Sequence, residues 1–428
     1  MRKFKLMLLI LAGLCGVVNA QERSNSPYSR YGIGELYGNT FSYATSLAGA
    51  SIAFRPNVEL NLQNPASLTA MTSRAQFGIG IFSHINKLKV ASSSVPSLRN
   101  TTQLSQMSMG FRIKSNWKGA LSLAPYSGVG YSMVEKVNID QVGEVKYKFN
   151  GYGGVNKFTM THAYQWKNLS VGVNASYIFG RIDRQRSDSL PDNIFGFNSA
   201  ASSQLLVRNF VFETGAQYHR NLYYQNNKGN RDSLELILGA TYGPPGHLNK
   251  TREDFLITMT TPGGTTVDTS FSESFEGKMV LPLSWGAGAS IGKTAGDKQW
   301  RIGVDYTAQP WSNYTLFDKA DSIGNAHRLS IGGLYQNDAE GIQWRGGLFL
   351  SQTYHELKGI AIQENGIAFG LSVPMKVAKP LGSNYLNLGF VIGERGTTDQ
   401  SLIKEQFIRL NVGFSFQTAT WFLKRKYD

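Results

Sequence analysis

The chain is short of charge, of cysteine and of long apolar runs, and each shortage excludes something. Charged residues make up 17% of the 428, against about 25% in soluble domains, which argues against a string of water-soluble domains. The single cysteine, Cys15, removes any disulfide framework or cysteine-based metal site. No stretch is long and apolar enough for a spanning helix, and the mean hydropathy is −0.23. A basic stripe of the nucleic-acid kind is also missing, so no nucleic acid is expected as a partner. The histidines His84, His162, His219, His247, His327 and His355 stand apart, without an i, i+4 mate or a neighbouring cysteine. No metal and no cofactor is therefore expected.

Glycine, by contrast, is abundant at 46 residues, and aromatics reach 12%. Few charges, many aromatics and no long apolar run together point to a β-barrel in a membrane. Residues 1–20 fit an export signal. Arg2, Lys3 and Lys5 precede an apolar core from Leu6 to Val18, and Val18-Asn19-Ala20 ends in small residues before Gln21. Cys15 falls inside this signal, and Leu14 before it spoils a lipoprotein-type site. Removing three of the 43 basic residues and none of the 29 acidic ones leaves 40 − 29 = +11, an excess that suits anionic lipid head groups or acidic partners.

From about Ala75 to Gln417, apolar residues alternate with small or polar ones, the signature of half-buried strands. Strands are expected at 75–83, 104–114, 119–131, 152–166, 169–182, 205–220, 233–243, 279–292, 299–310, 327–337, 343–354, 366–375, 385–395 and 405–417. That makes fourteen, an even number, as closed bacterial barrels require. In the last strand Ile408, Leu410, Val412, Phe414 and Phe416 share one face, and Arg409, Asn411, Gly413 and Ser415 the other. The connections alternate between long (84–103, 132–151, 183–204, 244–278, 311–326) and generally short, as outer loops and periplasmic turns do. Trp117, Tyr131, Trp166, Trp300, Trp311 and Tyr385 lie near strand ends and would suit interfacial girdles. The fold class expected is thus all-β: a fourteen-stranded antiparallel transmembrane barrel, 74–417, in the outer membrane, with 418–428 as a periplasmic tail.

Residues 21–73 follow no clean period and are too few to hold a core of their own. They need a cavity, and inward-facing Gly286, Gly288, Gly370, Gly389 and Gly413 leave room for them, so they are expected to fill the lumen as a hatch. The hinge between hatch and barrel is Asn61-Leu62-Gln63-Asn64-Pro65-Ala66-Ser67-Leu68, where Pro65 cannot donate a ladder bond and drives Asn64 out of the helical region. The inward charges Arg112, Glu213, Arg301, Asp305 and Arg409 form a candidate polar network in the lumen. Arg30, Glu35, Arg55 and Glu59 of the hatch are available to pair with such groups. In the third strand Pro125 interrupts the alternation before Tyr126, Gly128 and Gly130. A proline inside a strand deletes a ladder donor, so these residues mark a kink, either a bulge that shapes the wall or an opening in it.

Two other motifs carry no chemistry. Gly288-Ala289-Ser290-Ile291-Gly292 fits G-x-S-x-G, which works only on a sharp strand-to-helix turn; here it sits inside an alternating strand. Gly32-Ile33-Gly34 lacks the strand-fed helix of a nucleotide site. No enzyme is expected.

Asn64-Pro65-Ala66 resembles the hatch motif of the FadL-like outer-membrane proteins, a group of hydrophobic-compound transporters and PorV-type secretion subunits. Gly153-Gly154-Val155-Asn156, Leu281-Pro282-Leu283-Ser284, Asp305-Tyr306 ahead of Trp311-Ser312, and Gly366-Ile367-Ala368-Phe369-Gly370 support it in order along the mature chain. The resemblance implies a fourteen-stranded barrel with an N-terminal hatch, and a kinked third strand used for lateral release of an apolar ligand. The start, Ser26-Pro27-Tyr28-Ser29-Arg30-Tyr31-Gly32, departs from that of the fatty-acid transporters. Two functions stay open: uptake of fatty-acid-like hydrophobic molecules with release at the third strand, or a non-transporting barrel subunit of a secretion or assembly complex. The partners implied are outer-membrane lipids, with a hydrophobic ligand in the first case and other proteins of an outer-membrane complex in the second.

Overall fold

The computed structural model describes residues 24–38, 42–91, 96–140, 143–189, 197–225, 231–260, 266–295, 298–316, 319–320, 323–338, 341–375 and 384–418. The export signal and all of the expected tail but Thr418 lie outside the described residues. The chain from Ala75 on forms one closed antiparallel barrel of fourteen strands. These are β1 (Ala75–Val90), β2 (Ser97–Arg112), β3 (Trp117–Ile139), β4 (Gly143–Trp166), β5 (Leu169–Ser189) and β6 (Phe197–Gln225). Then come β7 (Arg231–Gly243, continued by Gly246–Thr260) and β8 (Thr266–Leu281, continued by Ser284–Ala295). β9 (Lys298–Gln309), β10 (Ala326–Gln336), β11 (Gln343–Leu357), β12 (Ile360–Met375), β13 (Asn384–Arg395) and β14 (Ile403–Thr418) complete the wall. Closure is by β14 against β1, from Ile403↔Val90 to Thr418↔Ala75.

Alternation sets the faces. Val171, Val173, Ile302, Val304, Ile392 and Ile408 are exposed on the outside, while Asn174, Ser176, Asp305, Asn387 and Asn411 are buried on the inside. In a bilayer that outer row meets hydrocarbon, and the backbone behind these residues pairs with neighbouring strands. Trp117 and Trp166 lie outward, as girdle residues should, but Tyr131, Trp311 and Tyr385 are buried. Trp311 starts a one-turn 3-10 helix, Trp311–Asn313, and stacks on Tyr354, so it packs in the interior instead.

Most of the expected long loops are strand. The segments 84–103, 132–151 and 183–204 largely continue β1 to β6 beyond the expected limits, and 244–278 holds Gly246–Thr260 and Thr266–Leu281. Past the lipid-facing band both faces of a strand meet water, so alternation weakens and polar runs pass for loops. Pro244 and Pro245 break β7 opposite Pro282 in β8: Leu281 pairs with Gly246 and Ser284 with Gly243. The prolines lack the donor a continuous ladder would use. The wall is therefore lopsided. β3 to β8 rise far past the strands on the other side and end in a sheet standing above the barrel.

Candidate functional site

Residues 24–38 and 42–71 lie against the inner face of this wall. The segment has a 3-10 turn (Pro27–Arg30), a two-residue strand (Glu35–Leu36), a short helix (Ser42–Ser46) and a second 3-10 turn (Pro65–Ala70). Leu47, Ile52 and Phe54 are fully buried between it and the wall, each worth about 1.5–3 kcal/mol. The wall makes room with glycine. A Cβ on Gly172 would lie 2.5 Å from the Pro65 carbonyl carbon, and one on Gly239 2.4 Å from the Ile52 oxygen. Inward Gly286, Gly288, Gly370, Gly389 and Gly413 likewise abut Ile52, Ser46 or Ser42.

The Asn64-Pro65-Ala66 motif is the lower anchor. Asn64 caps the second 3-10 turn by accepting from Ala66 N at 3.1 Å. Its Nδ2 donates to Ile52 O at 2.9 Å and to Ala216 O of β6 at 3.1 Å. One side chain thus joins the hatch to itself and to the wall. Asp305 of β9 accepts from the backbone N–H groups of Ser51 and Ile52, the latter at 2.6 Å. Ser290, the serine of the G-x-S-x-G stretch, donates to Ala53 O of the hatch at 2.6 Å and accepts from Arg301 Nη1 at 3.2 Å.

Two buried ionic clusters complete the seat. Arg345 of β11 meets Glu59 at 2.5 Å, with Ser372 Oγ donating to the same carboxylate at 3.2 Å. Arg395 of β13 meets Glu35 at 2.7 Å and Glu364 at 2.5 Å, and Glu405 at 3.5 Å. Arg409 joins Glu35 at 3.4 Å and Glu364 at 3.3 Å. Ser24 donates to Glu35 at 2.8 Å and Ser26 to Glu405 at 2.5 Å. Burial by itself would raise the Glu35 carboxyl, but Arg395 and Arg409 outweigh it and hold the group below its ordinary range. Depressed in this way, Glu35 contributes stability that is fully present above its unfolded-state pKa and is lost progressively as the pH falls from there through the lower folded-state pKa.

Of the five charges expected to share a network, the structure brings only some together. Arg409 belongs to the Glu35 cluster, and Asp305 holds the hatch backbone. Arg301 pairs with Glu235 and Glu213 with Lys157 at 3.3 Å, each within the wall. Arg112 is a correction: it is exposed at the end of β2, where the strand leaves the lumen for the turn at 113–116. Of the four hatch charges, Glu35 and Glu59 make the ion pairs, Arg55 donates to Ser170 and Gln217, and Arg30 lies over the Phe149 ring. Arg345, Glu364, Arg395 and Glu405 went unnoticed in the sequence. Strand parity could have found them: Arg395 shares its face with Asn387, Gly389 and Gly393, and Glu405 shares one with Arg409 and Gly413.

Above the hatch remains a cavity of about 380 Å³. Its lining mixes Trp285, Phe349 and Tyr354 with Glu35, Glu213, Asp305, Arg328, Glu364 and Arg409. Among the described residues no group of three or more His, Cys, Asp or Glu is placed to hold a metal.

The wall has a seam. β2 and β3 pair only from Arg112↔Lys118 to Met107↔Leu123, although β2 runs on to Ser97 and β3 to Ile139. At the top of that pairing Pro125 sits in an irregularity of the β3–β4 register, between Pro125 and Ser127. Beyond it the hatch takes the place of β2. Leu36 pairs with Ser127 and Glu35 with Gly128, Tyr37 N donates to Tyr126 O at 3.0 Å, and Gly130 N donates to Ser29 Oγ at 3.1 Å. A Cβ on Gly130 would collide with Ser24 O at 1.8 Å, so glycine is required there for the close approach. The four residues singled out in the third strand therefore line one gap, and the chain's own N-terminal segment fills its lower part.

Solved structures with this architecture include the Pseudomonas putida toluene transporter TodX, with 15% identity and a TM-score of 0.56 over 90% of this chain and 98% of that one. The Ralstonia pickettii toluene transporter TbuX matches at 13% identity and 0.56, over 90% and 99%, and the CymD monoaromatic hydrocarbon channel at 12% and 0.56, over 90% and 98%. At these identities the likeness is one of fold, and the FadL-like outer-membrane barrel expected from the motifs is the fold found. No curated protein matches the sequence. A family model described as BamG matches residues 1–428.

Proposed function

The chain belongs to the BamG family, and from that premise we propose that it is a non-transporting barrel subunit of an outer-membrane protein secretion or assembly complex. The observation that carries this reading is the anchoring of the hatch. Its contacts run around the wall: Asn25 and Ser26 on β1, β2 and β14, Arg55 on Ser170 of β5, Asn64 on Ala216 of β6 and the Ile52 amide on Asp305 of β9, and the two ionic clusters on β11 to β14. A charge left buried without its partner costs about 3–5 kcal/mol, and moving this hatch would part Glu35 and Glu59 from buried Arg395 and Arg345. A route straight through the lumen would need that to happen in every cycle, and the solute would cross a cavity rich in charge. A barrel that serves as a fixed platform needs neither.

The test is purification from native outer membranes in a mild detergent through an affinity tag. The expected result is one or more partner proteins in stoichiometric amount, stable through size exclusion. A lone barrel carrying a tightly bound apolar small molecule would refute the subunit reading.

The seam favours a second reading, uptake of a fatty-acid-like or aromatic solute with lateral release at β3. Unpaired backbone facing lipid costs on the order of several kcal/mol per group, so an opening of this kind must be lined by protein, water or a ligand. Replacing Pro125 and Gly128 with valine should restore a stiffer β3 and cut uptake of a hydrophobic solute while the barrel stays inserted. Unchanged uptake in a well-inserted Pro125→Val/Gly128→Val variant would eliminate lateral release.

A further inference from the structure

We propose that the upper length of β3, Ser132–Ile139, is a strand-receiving edge. It would pair with an extended segment of a partner protein that alternates apolar and acidic side chains. This rests on the subunit reading above and names the chemistry of one of its contacts.

The chain itself supplies the template. Over Tyr126–Gly128 the β3 edge already accepts an antiparallel neighbour, Glu35–Leu36 with Tyr37. The donors at Tyr37 and Gly130 fix which β3 residues face the seam: the even-numbered ones. By alternation the N–H and C=O groups of Ser132, Val134, Lys136 and Asn138 point the same way, because neighbouring strand residues bond to opposite sides. β4 covers the other side, from Ser132↔Asn150 to Ile139↔Gly143. On the seam side no strand pairs with Ser132–Ile139 among the described residues. Strand addition to such an edge draws its strength from main-chain bonds and its selectivity from alternate side chains.

The two faces of the edge set that selectivity. Val134 lies opposite Lys148, and Lys136 opposite Lys146, on the same side of β4 as the lipid-facing Phe158 and Met160. Glu144 bridges Lys136 and Lys146, at 3.2 and 3.5 Å, which leaves that face positive. The opposite face is mainly apolar, with Met133, Val137 and Ile139 around the single acid Glu135, and Val137 and Ile139 are each 37% exposed. A partner strand that presents acids to the first face and apolar groups to the second complements both. The tall sheet has a second edge, the Thr266–Leu281 half of β8, whose lower end is covered by Thr315–Leu316 opposite Met279 and Val280. That one carries two register irregularities, between Thr266 and Asp268 and between Thr269 and Phe271, a device that discourages pairing. Above Ser127 the β3 edge has none.

The probe is a fluorescent ten-residue peptide alternating valine and glutamate, titrated against the purified full-length protein in detergent and followed by anisotropy. Two control peptides carry lysine for glutamate, or methylated amides along one edge. The expected result is binding of the valine–glutamate peptide, with both controls weaker by at least about tenfold, the effect of little more than one lost hydrogen bond. Val134→Pro removes a seam-side donor and leaves the β4 ladder alone, and should weaken binding by a similar factor in a barrel that keeps its folded mobility. Should that variant fail to fold, Lys136→Glu/Lys148→Glu should reverse the preference toward the lysine peptide. Equal binding of the three peptides, no binding at millimolar concentration, or no effect of either variant would overturn the proposal. A Val134→Pro protein that still co-purifies with every partner of the wild type would sink the edge and leave the subunit reading standing.

Discussion

Arg395→Met is expected to be the most damaging single change in the chain. The Arg395 guanidinium stands between Glu35, Glu364 and Glu405, and methionine fills the space without the charge. Three carboxylates would then face one another with Arg409 left in ion-pair contact with two of them and Arg328 acting on Glu364 from farther away. Removing one partner of a buried pair costs about 3–5 kcal/mol, because the charge left behind stays out of water. The hatch should loosen at its Glu35 end and the seam should lose its filling strand, since Glu35 serves both. Heat-modifiable gel mobility and the unfolding midpoint in detergent measure this. Adding Glu35→Gln to Arg395→Met should recover part of the loss. An Arg395→Met barrel as stable as wild type would mean that the cluster does not seat the hatch.

The second large effect is expected from Gly172→Val. Gly172 is on the inner face of β5, and its missing Cβ is replaced by the Pro65–Ala66 peptide, 2.5–2.7 Å from where that atom would lie. A flexible side chain could move aside, but this neighbour is backbone, fixed by the Asn64 bonds to Ile52 and Ala216. Overpacking of a filled interior typically costs about 1–3 kcal/mol, and here the strain falls on the hatch because the β5 ladder is regular. The hatch should become sensitive to a protease that leaves the barrel intact. Gly346→Ala is the matching control, since nothing but Ala368 O, at 3.7 Å, lies near its Cβ position. Equal protection of the hatch in Gly172→Val and wild type would place the segment's anchoring elsewhere.

The wall was legible in the sequence because hydrocarbon outside and a packed lumen inside force alternation, as in Ile408 to Phe416 of β14. The same physics explains where the reading stopped. His247 to Asp254 carry charges on both faces, and with no lipid against them they passed for a loop, yet they belong to β7. Several members of the Glu35 cluster sat at or beyond the ends of the expected strands: Glu364 lies two residues before the segment assigned to β12, Arg395 ends β13 and Glu405 begins β14, whereas Arg345, the partner of Glu59, lay inside its strand. Pro125 announced the kink, because proline costs a ladder bond wherever it falls. What fills the gap was not legible. A two-residue strand such as Glu35–Leu36 has no period, and its pairing with Ser127 and Gly128 depends on contacts nearly a hundred residues apart.

The central claim is that the barrel works with its hatch in place, and a covalent lock tests it most directly. A Cβ on Gly413 would lie 3.4 Å from Ser42 Cβ, close to the separation of about 3.5–4.5 Å that a disulfide spans. Apart from Cys15, these would be the only cysteines of the Ser42→Cys/Gly413→Cys chain. The measurement is whether this variant, oxidised in the outer membrane, supports growth and keeps its partners in a strain lacking the wild-type protein. The account predicts that it does, with or without reductant. Activity lost on oxidation and restored by reductant would contradict it, because the hatch would then have to move.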